Sequence, residues 1–377
     1  MKLVILMIDL NNQTQFNYLR FDFNNLPNAV YDDGLIRGVA PNTARQYRAT
    51  TKYYCDIIDP TLFNHDSKYL DFKPSLIDYL NFCRDSGFSF PTIKTHFNAL
   101  NNTFLYLIDN GIISFNPIPQ FRKRYIRIFK NPPCAPKQDL GVEDVELLIK
   151  TVPKLNFKDE INIEKYISII LTFSLTGLRI NELIPLNLYN YDHTNGFIHL
   201  GEPNKIQGKR TNTIIPVSRQ IVDAINAYLF LREQRGEILT SNSPLFLNEL
   251  GTGRLTDKTL QLQIQKIGTL CGLHNPSPDA QSYEKVTAHT FRHFFTKTMR
   301  ELGMPIAYIA EMRGDKRSFF AIQDWYYQIT YRELKKVYNL YIPILRIPDT
   351  KEKFEIVNGW LPAAINTFNV FDDSKKQ

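Results

Sequence analysis

The chain of 377 residues has only four cysteines, Cys55, Cys83, Cys134 and Cys271, with no C-x-x-C pair and no paired histidines nearby. That scatter speaks against a disulfide framework or a structural zinc site and suits thiols kept reduced. No run approaches the roughly 18 apolar residues that a membrane helix requires. Residues 2–10 are apolar but short and interrupted by Asp9, with no small-residue cleavage site behind them. Neither a signal peptide nor a membrane span is expected. A strong charge imbalance is missing too: 45 Lys and Arg face 38 Asp and Glu, a net charge of +7. This is a mild lean towards polyanions, shared by many proteins with no nucleic-acid role. The expectation is a soluble intracellular protein without a metal or cofactor.

What is present is a succession of helical patterns, in a chain long enough for two domains with separate cores. Residues 1–38 are rich in Asn, Asp and aromatics without a period, and read as an N-terminal extension, either a strand-containing arm or a loose segment. From Pro41 the pattern turns helical. Thr43 can cap a run that buries Tyr47, Tyr54 and Ile57/Ile58, and a second apolar run, Leu76 to Phe82, follows Pro74. A third starts at Pro91-Thr92 and carries Ile93, Phe97, Leu100, Phe104 and Leu107 until Asn110-Gly111 stops it. An all-helical domain over 39–121 is the natural reading. A basic, proline-rich linker over 122–137 comes next, with Arg122, Lys123, Arg124, Arg127 and Lys130 ahead of Pro132, Pro133 and Pro136. By itself such a run is a solvated linker; between two DNA-binding modules its cations would neutralise phosphates.

The second domain is expected over 138–345. Ile161 to Leu175 is apolar nearly all round, as in a buried helix, and stops at Thr176-Gly177. The chain reversal puts Arg179 where it can reach outwards or pair with Glu182. Leu186 to Tyr191, Phe197 to Leu200 and Thr213 to Val217 read as a small antiparallel sheet, with a turn at Thr194-Asn195-Gly196. The connection Glu202 to Asn212 carries Lys205 and Lys209. Scaffold follows: an amphipathic Ser218–Gln234, a short buried Leu245–Leu247, and a helix capped by Thr256. Thr287 then caps a helix whose stripe is Phe291, Phe294/Phe295, Met299 and Leu302, ended by Gly303. His289 and Arg292, three apart, share one face of it. Downstream, Trp325-Tyr326-Tyr327 places phenols on a polar segment. A tail over 346–377 holds a last apolar stretch from Phe354 to Phe368. The fold class is mainly α with a small antiparallel sheet in the C-terminal domain.

His-x-x-Arg at His289 and Arg292, T-G-L-R-I-N-E-L around Arg179, and a later tyrosine resemble the signature of the tyrosine recombinases, the phage integrase family. T-A-R-Q-Y, P-T-I-K-T-H-F-N-A-L and G-I-I-S-F-N-P resemble landmarks of that family's core-binding domain, which together with the catalytic domain forms a two-domain clamp around DNA. The resemblance implies a site-specific recombinase or integrase that cleaves and rejoins double-stranded DNA through a 3′-phosphotyrosyl bond and a Holliday junction, without metal or ATP. It implies Arg179 and Arg292 on one phosphate, Glu182 as an orienting carboxylate, and His289 as proton acceptor. The nucleophile is Tyr326, with Tyr327 as the alternative; the mobile lysine is Lys205, with Lys209 as the alternative.

One position departs from the pattern. Where the family has a His or Trp before the nucleophile, this chain has Arg313-Gly314-Asp315-Lys316-Arg317. Asp315 takes the place by motif, whereas Arg317 or Lys316 takes it by distance from Tyr326. Asp is a poor neighbour for a phosphate, so Arg317 or Lys316 is expected to fill the role. The resemblance further implies a homo-tetramer on DNA and a tail that docks on a neighbouring subunit or on its own domain; a mobile genetic element such as a virus is the expected carrier, with a plasmid, a transposon or a host chromosome as alternatives. Accessory DNA-bending proteins are compatible with that assembly. Type IB topoisomerases and telomere resolvases share the cleavage step, and a DNA-binding protein that kept the fold but lost catalysis is the rival from another class.

Overall fold

The computed structural model describes residues 22–125, 138–157, 159–201, 213–315 and 329–347. They fall into two compact units, divided between Cys134 and Ala135. The architecture is mainly helical, with one small antiparallel sheet in the second unit.

The first unit contains α1 (Leu26–Ile36), α2 (Pro41–Cys55), α3 (Tyr69–Asp85), α4 (Phe90–Asp109) and α5 (Ile118–Arg124). Its core is aromatic: Tyr54, Phe63, Phe72, Tyr79, Phe97, Phe104 and Phe121 are buried together. Phe72 meets Phe104 edge-on at 5.2 Å and Phe97 stacks on Phe121 at 5.4 Å, the offset and edge geometries that ring quadrupoles favour. The buried phenols have partners, Tyr54 with Ser75 Oγ at 2.9 Å and Tyr79 with His96 Nδ1 at 2.8 Å.

Three features of this unit differ from the sequence expectation. Residues 26–36, expected in an extension, form α1, which buries Leu26 and Val30 in the unit's core. The close approach of α1 to α2 runs through Gly34, where an added Cβ would lie 3.5 Å from Ala44 Cβ. Pro41, not Thr43, opens α2, in the first-turn position that suits a residue with no N–H to donate. Pro74 lies inside α3, which starts at Tyr69 because the Asp71 carboxylate accepts from the Lys68 N–H at 2.7 Å. The bond Pro74 forfeits would have gone to the carbonyl of Leu70, a residue 71% exposed, so water can replace the lost partner.

The second unit contains α6 (Val142–Thr151), α7 (Glu160–Thr176), α8 (Ile180–Leu183), β1 (Tyr191–Asp192), β2 (Phe197–Leu200), β3 (Thr213–Pro216), α9 (Arg219–Gln234), α10 (Asp257–Leu270), α11 (Ala288–Glu301), α12 (Ile306–Arg313) and α13 (Tyr331–Tyr341). The central element is α7, packed against both α9 and α11. Its apolar sequence is buried almost throughout, and several of its buried hydroxyls bond within the helix: Ser168 Oγ donates to the Lys165 carbonyl at 2.8 Å and Thr172 Oγ1 to the Ser168 carbonyl at 2.7 Å. The sheet order is β1-β2-β3, both pairings antiparallel, with Ile198 opposite Tyr191 on one side and Ile215 on the other. The first strand is shorter than expected. Leu188 and Leu186 instead bond by their backbones to Ser243 and Leu245, which buries both leucines against the Leu245–Leu247 segment.

Candidate active site

The site is built where α7 ends. Gly177 adopts φ 65°, ψ 22°, the left-handed conformation that glycine tolerates without a Cβ penalty, and its N–H closes the helix on the Phe173 carbonyl at 3.0 Å. The reversal places Arg179 at the N-cap of α8. There the Glu182 carboxylate accepts from the Arg179 main-chain N–H at 2.8 Å and from its Nη1 at 3.0 Å. Glu182 thus fixes both the backbone and the side chain of Arg179. Tyr338 on α13 supports the turn from below, its hydroxyl donating to the Leu175 carbonyl at 2.9 Å.

Arg292 reaches the same place from α11. Thr287 starts that helix, its N–H donating to Thr290 Oγ1 at 3.0 Å, and Phe291, Phe294, Phe295 and Met299 are buried along it. The expected stripe ends one turn early, because Leu302 is half exposed. The Arg292 side chain is 3% exposed, and its Nη1 donates to the Gly177 carbonyl at 2.6 Å. Phe295 lies against Gly177, where an added Cβ would sit 2.6 Å from its ring. The helix end that presents Arg179 and the helix that presents Arg292 are therefore locked by one glycine.

A third element brings the two guanidiniums together. Gly314 ends α12 in the left-handed conformation, φ 59°, and the Asp315 N–H folds back onto the Ala310 carbonyl at 3.0 Å. The Arg313 carbonyl then accepts from Arg179 Nη1 at 3.1 Å and from Arg292 Nη2 at 2.8 Å. Asp315 Oδ1 accepts from Arg179 Nη2 at 3.2 Å and from Arg292 Nη2 at 2.9 Å, while its Oδ2 lies 3.0 Å from Arg313 Nε. Among the described residues, the guanidiniums of Arg179, Arg292 and Arg313 against the carboxylates of Glu182 and Asp315 leave one positive charge in excess. Such a convergence of charged donors suits an oxyanion with several equivalent oxygens.

Arg179, Glu182, Arg292 and Asp315 are thus brought together, across more than a hundred positions of sequence. His289 is exposed on the first turn of α11, one turn ahead of Arg292, with its ring perpendicular to that of His293 at 4.8 Å. Lys205, Lys209, Lys316, Arg317, Tyr326 and Tyr327 lie outside the described residues, as do Arg127 and Lys130. Arg122, Lys123 and Arg124 form the last turn of α5, where an extended linker was expected, and Arg122 Nη1 donates to Asn98 Oδ1 at 2.7 Å. Two contributors went unnoticed in the sequence, the carbonyls of Gly177 and Arg313. Backbone acceptors carry no residue-type signal; the cue is a glycine at the one position, Gly177, and just after the other, Gly314.

With this geometry in view, comparison with known proteins is decisive. The family model described as "Phage integrase family" matches residues 138–332, more than half of the chain. The chain belongs to this family, the tyrosine recombinases, and is a DNA-binding site-specific recombinase. It is 26% identical over 314 residues to "Tyrosine recombinase XerD" of Listeria innocua, covering 81% of this chain and 94% of that one. Identity to "Tyrosine recombinase XerA" of Pyrococcus furiosus is 27% over 278 residues, 72% and 82% of the two chains. Among solved structures, the Tn1549 transposon integrase in complex with transposon right end DNA superposes with a TM-score of 0.57 at 18% identity, covering 82% of this chain and 97% of that one. XerH bound to its difH substrate gives 0.55 at 18% identity, covering 84% and 83%. Among the described residues no helix is long and apolar enough to cross a membrane.

Proposed function

We propose that Arg179 and Arg292 hold the non-bridging oxygens of one DNA phosphate while Tyr326 attacks its phosphorus. The observation that carries this reading is the convergence of both guanidiniums on the same two acceptors, at 2.8 to 3.2 Å. The pair stabilises the added negative charge of a pentacoordinate transition state, as fixed donors do when charge develops in front of them. Glu182 holds Arg179 in place through its main-chain N–H and its Nη1. A phenol near its ordinary pKa of about 10 is ionised only about one part in a thousand at neutral pH, so attack requires a proton acceptor. His289 fills that role, and acid–base help of this kind gives about 10²–10⁴-fold in rate. Lys205, or Lys209 in its place, protonates the departing 5′-oxygen, and Arg317 or Lys316 donates where the family has His or Trp.

Attack forms a 3′-phosphotyrosyl bond and frees a 5′-hydroxyl. The covalent bond keeps the phosphodiester energy, so the 5′-hydroxyl of another duplex reseals the strand without ATP. In this reading a helical module over 39–121 and a catalytic domain over 138–345 clamp the duplex, joined by the basic segment 122–137. Exchange between two duplexes takes four protomers, which pass strands in pairs through a Holliday junction, and a mobile genetic element such as a virus is the carrier. If Arg124 or Lys123 meets phosphate, its replacement flattens the log K versus log salt slope by roughly 0.9.

The test is incubation of the full chain with a nicked suicide duplex. A covalent protein–DNA adduct that is lost in Tyr326→Phe supports the reading. DNA binding with no adduct from the native chain would identify a binder that has lost catalysis.

A further inference from the structure

Asp315 stands where this chain departs from the family pattern, and its carboxylate does not point away from the site. Oδ1 lies within hydrogen-bond distance of Nη2 on both arginines, 3.2 Å from Arg179 and 2.9 Å from Arg292. Those are the separations a phosphate oxygen held by two guanidiniums would have. The two side chains it bridges come from separate elements, and Arg313, from a third, adds a contact to its second oxygen. We propose that Asp315 is a positioning residue that stands in for the scissile phosphate, holding the arginine pair together before DNA arrives and yielding its place when DNA binds.

Charge explains why such a stand-in is useful. Two guanidiniums aimed at one point repel each other until an anion lies between them. Glu182 pairs with Arg179 at 3.0 Å. Asp315 reaches both. The main-chain position of Asp315 is set by its N–H bond to the Ala310 carbonyl and by left-handed Gly314. The carboxylate can therefore leave by rotation about its own side-chain bonds while the Arg313 carbonyl keeps its hold on both arginines. At 33% exposure it has water to receive it. A phosphate entering the pair must displace one carboxylate oxygen and its two charge-assisted bonds, so Asp315 preorganises the site and opposes its occupation.

This inference rests on the reading that the two arginines bind the scissile phosphate, and its test separates the two. The probe is orthovanadate, titrated against the full chain by calorimetry, for the native protein, Asp315→Asn and Asp315→Ser. Both substitutions leave the main-chain closure of α12 intact. Each is expected to bind orthovanadate at least about tenfold more tightly, the scale set by losing a charged competitor for charge-assisted bonds. Adding Arg179→Ala to Asp315→Asn should abolish that gain. In single-turnover cleavage the DNA concentration at half-maximal rate should fall in Asp315→Asn, a shift that a merely structural brace would not give. Unchanged or weaker anion binding in both folded substitutions overturns the stand-in role, even if Tyr326→Phe abolishes the adduct. An adduct that forms at the native rate in both Arg179→Ala and Arg292→Ala overturns the reading beneath it.

Discussion

Replacing Gly177 by alanine probes the joint on which both arginines depend. Two costs add there. The residue sits at φ 65°, and an L-side chain in the left-handed region costs about 1–2 kcal/mol. The new Cβ would also lie 2.6 Å from the ring of Phe295, which is fully buried on α11 and has no room to swing away. Overpacking of this kind costs about 1–3 kcal/mol. Together the substitution should remove about 2–5 kcal/mol, and at about 2–4 °C per kcal/mol for a domain of this size the melting temperature should fall by roughly 4–20 °C. Gly236→Ala is the matched control: φ is 82°, but nothing lies within 4 Å of the added carbon, so only the backbone cost applies. Urea unfolding of the two variants separates the terms. Adduct formation should fall further in Gly177→Ala than its stability loss accounts for, because the Gly177 carbonyl holds Arg292 Nη1. Equal destabilisation by the two alanines would refute the lock between Gly177 and α11.

Tyr338→Phe removes the hydroxyl that donates to the Leu175 carbonyl and leaves the rest of the ring in place; it should cost about 1–2 kcal/mol in urea unfolding. Lys165 supplies a pH signature. It is buried in α7 with Nζ on Asn162 Oδ1 at 2.7 Å, and burial holds its pKa down at about 8 from an ordinary 10.5. Below pH 8 both the folded and unfolded chains carry the charge, and the burial penalty is present in full. Between about 8 and 10.5 the unfolded chain binds the extra proton, so stability should rise with pH, by about 1–2 kcal/mol from pH 8 to 9.5. Lys165→Met should lack that rise.

Much of the catalytic unit was legible because its signals are local. Thr256 and Thr287 start their helices, Gly303 follows the end of the Thr287 helix, and the apolar run Ile161–Leu175 is the buried α7. Where the signal depended on distant partners, it failed. The stripe of α1 is thin, Leu26, Val30 and Gly34, and a glycine becomes a packing residue only when Ala44 lies opposite it. Leu186 and Leu188 look like strand residues, yet their backbones bond to residues 243–245. The arginines were visible by motif, not by pattern, since nothing local tells Arg179 from a surface partner of Glu182. Asp315 was weighed against the absent phosphate, where a carboxylate is a poor neighbour. In the folded chain its neighbours are three guanidiniums, which suit it well.

A double-mutant cycle on Arg179 and Arg292 tests the central claim most directly. Single-turnover adduct rates would be measured for the native chain, Arg179→Ala, Arg292→Ala and the double variant. Two groups that share one phosphate act as a unit, so the double variant should lose little more than the worse single variant. If the two losses simply add in free energy, the guanidiniums work on separate targets and the proposed site does not exist.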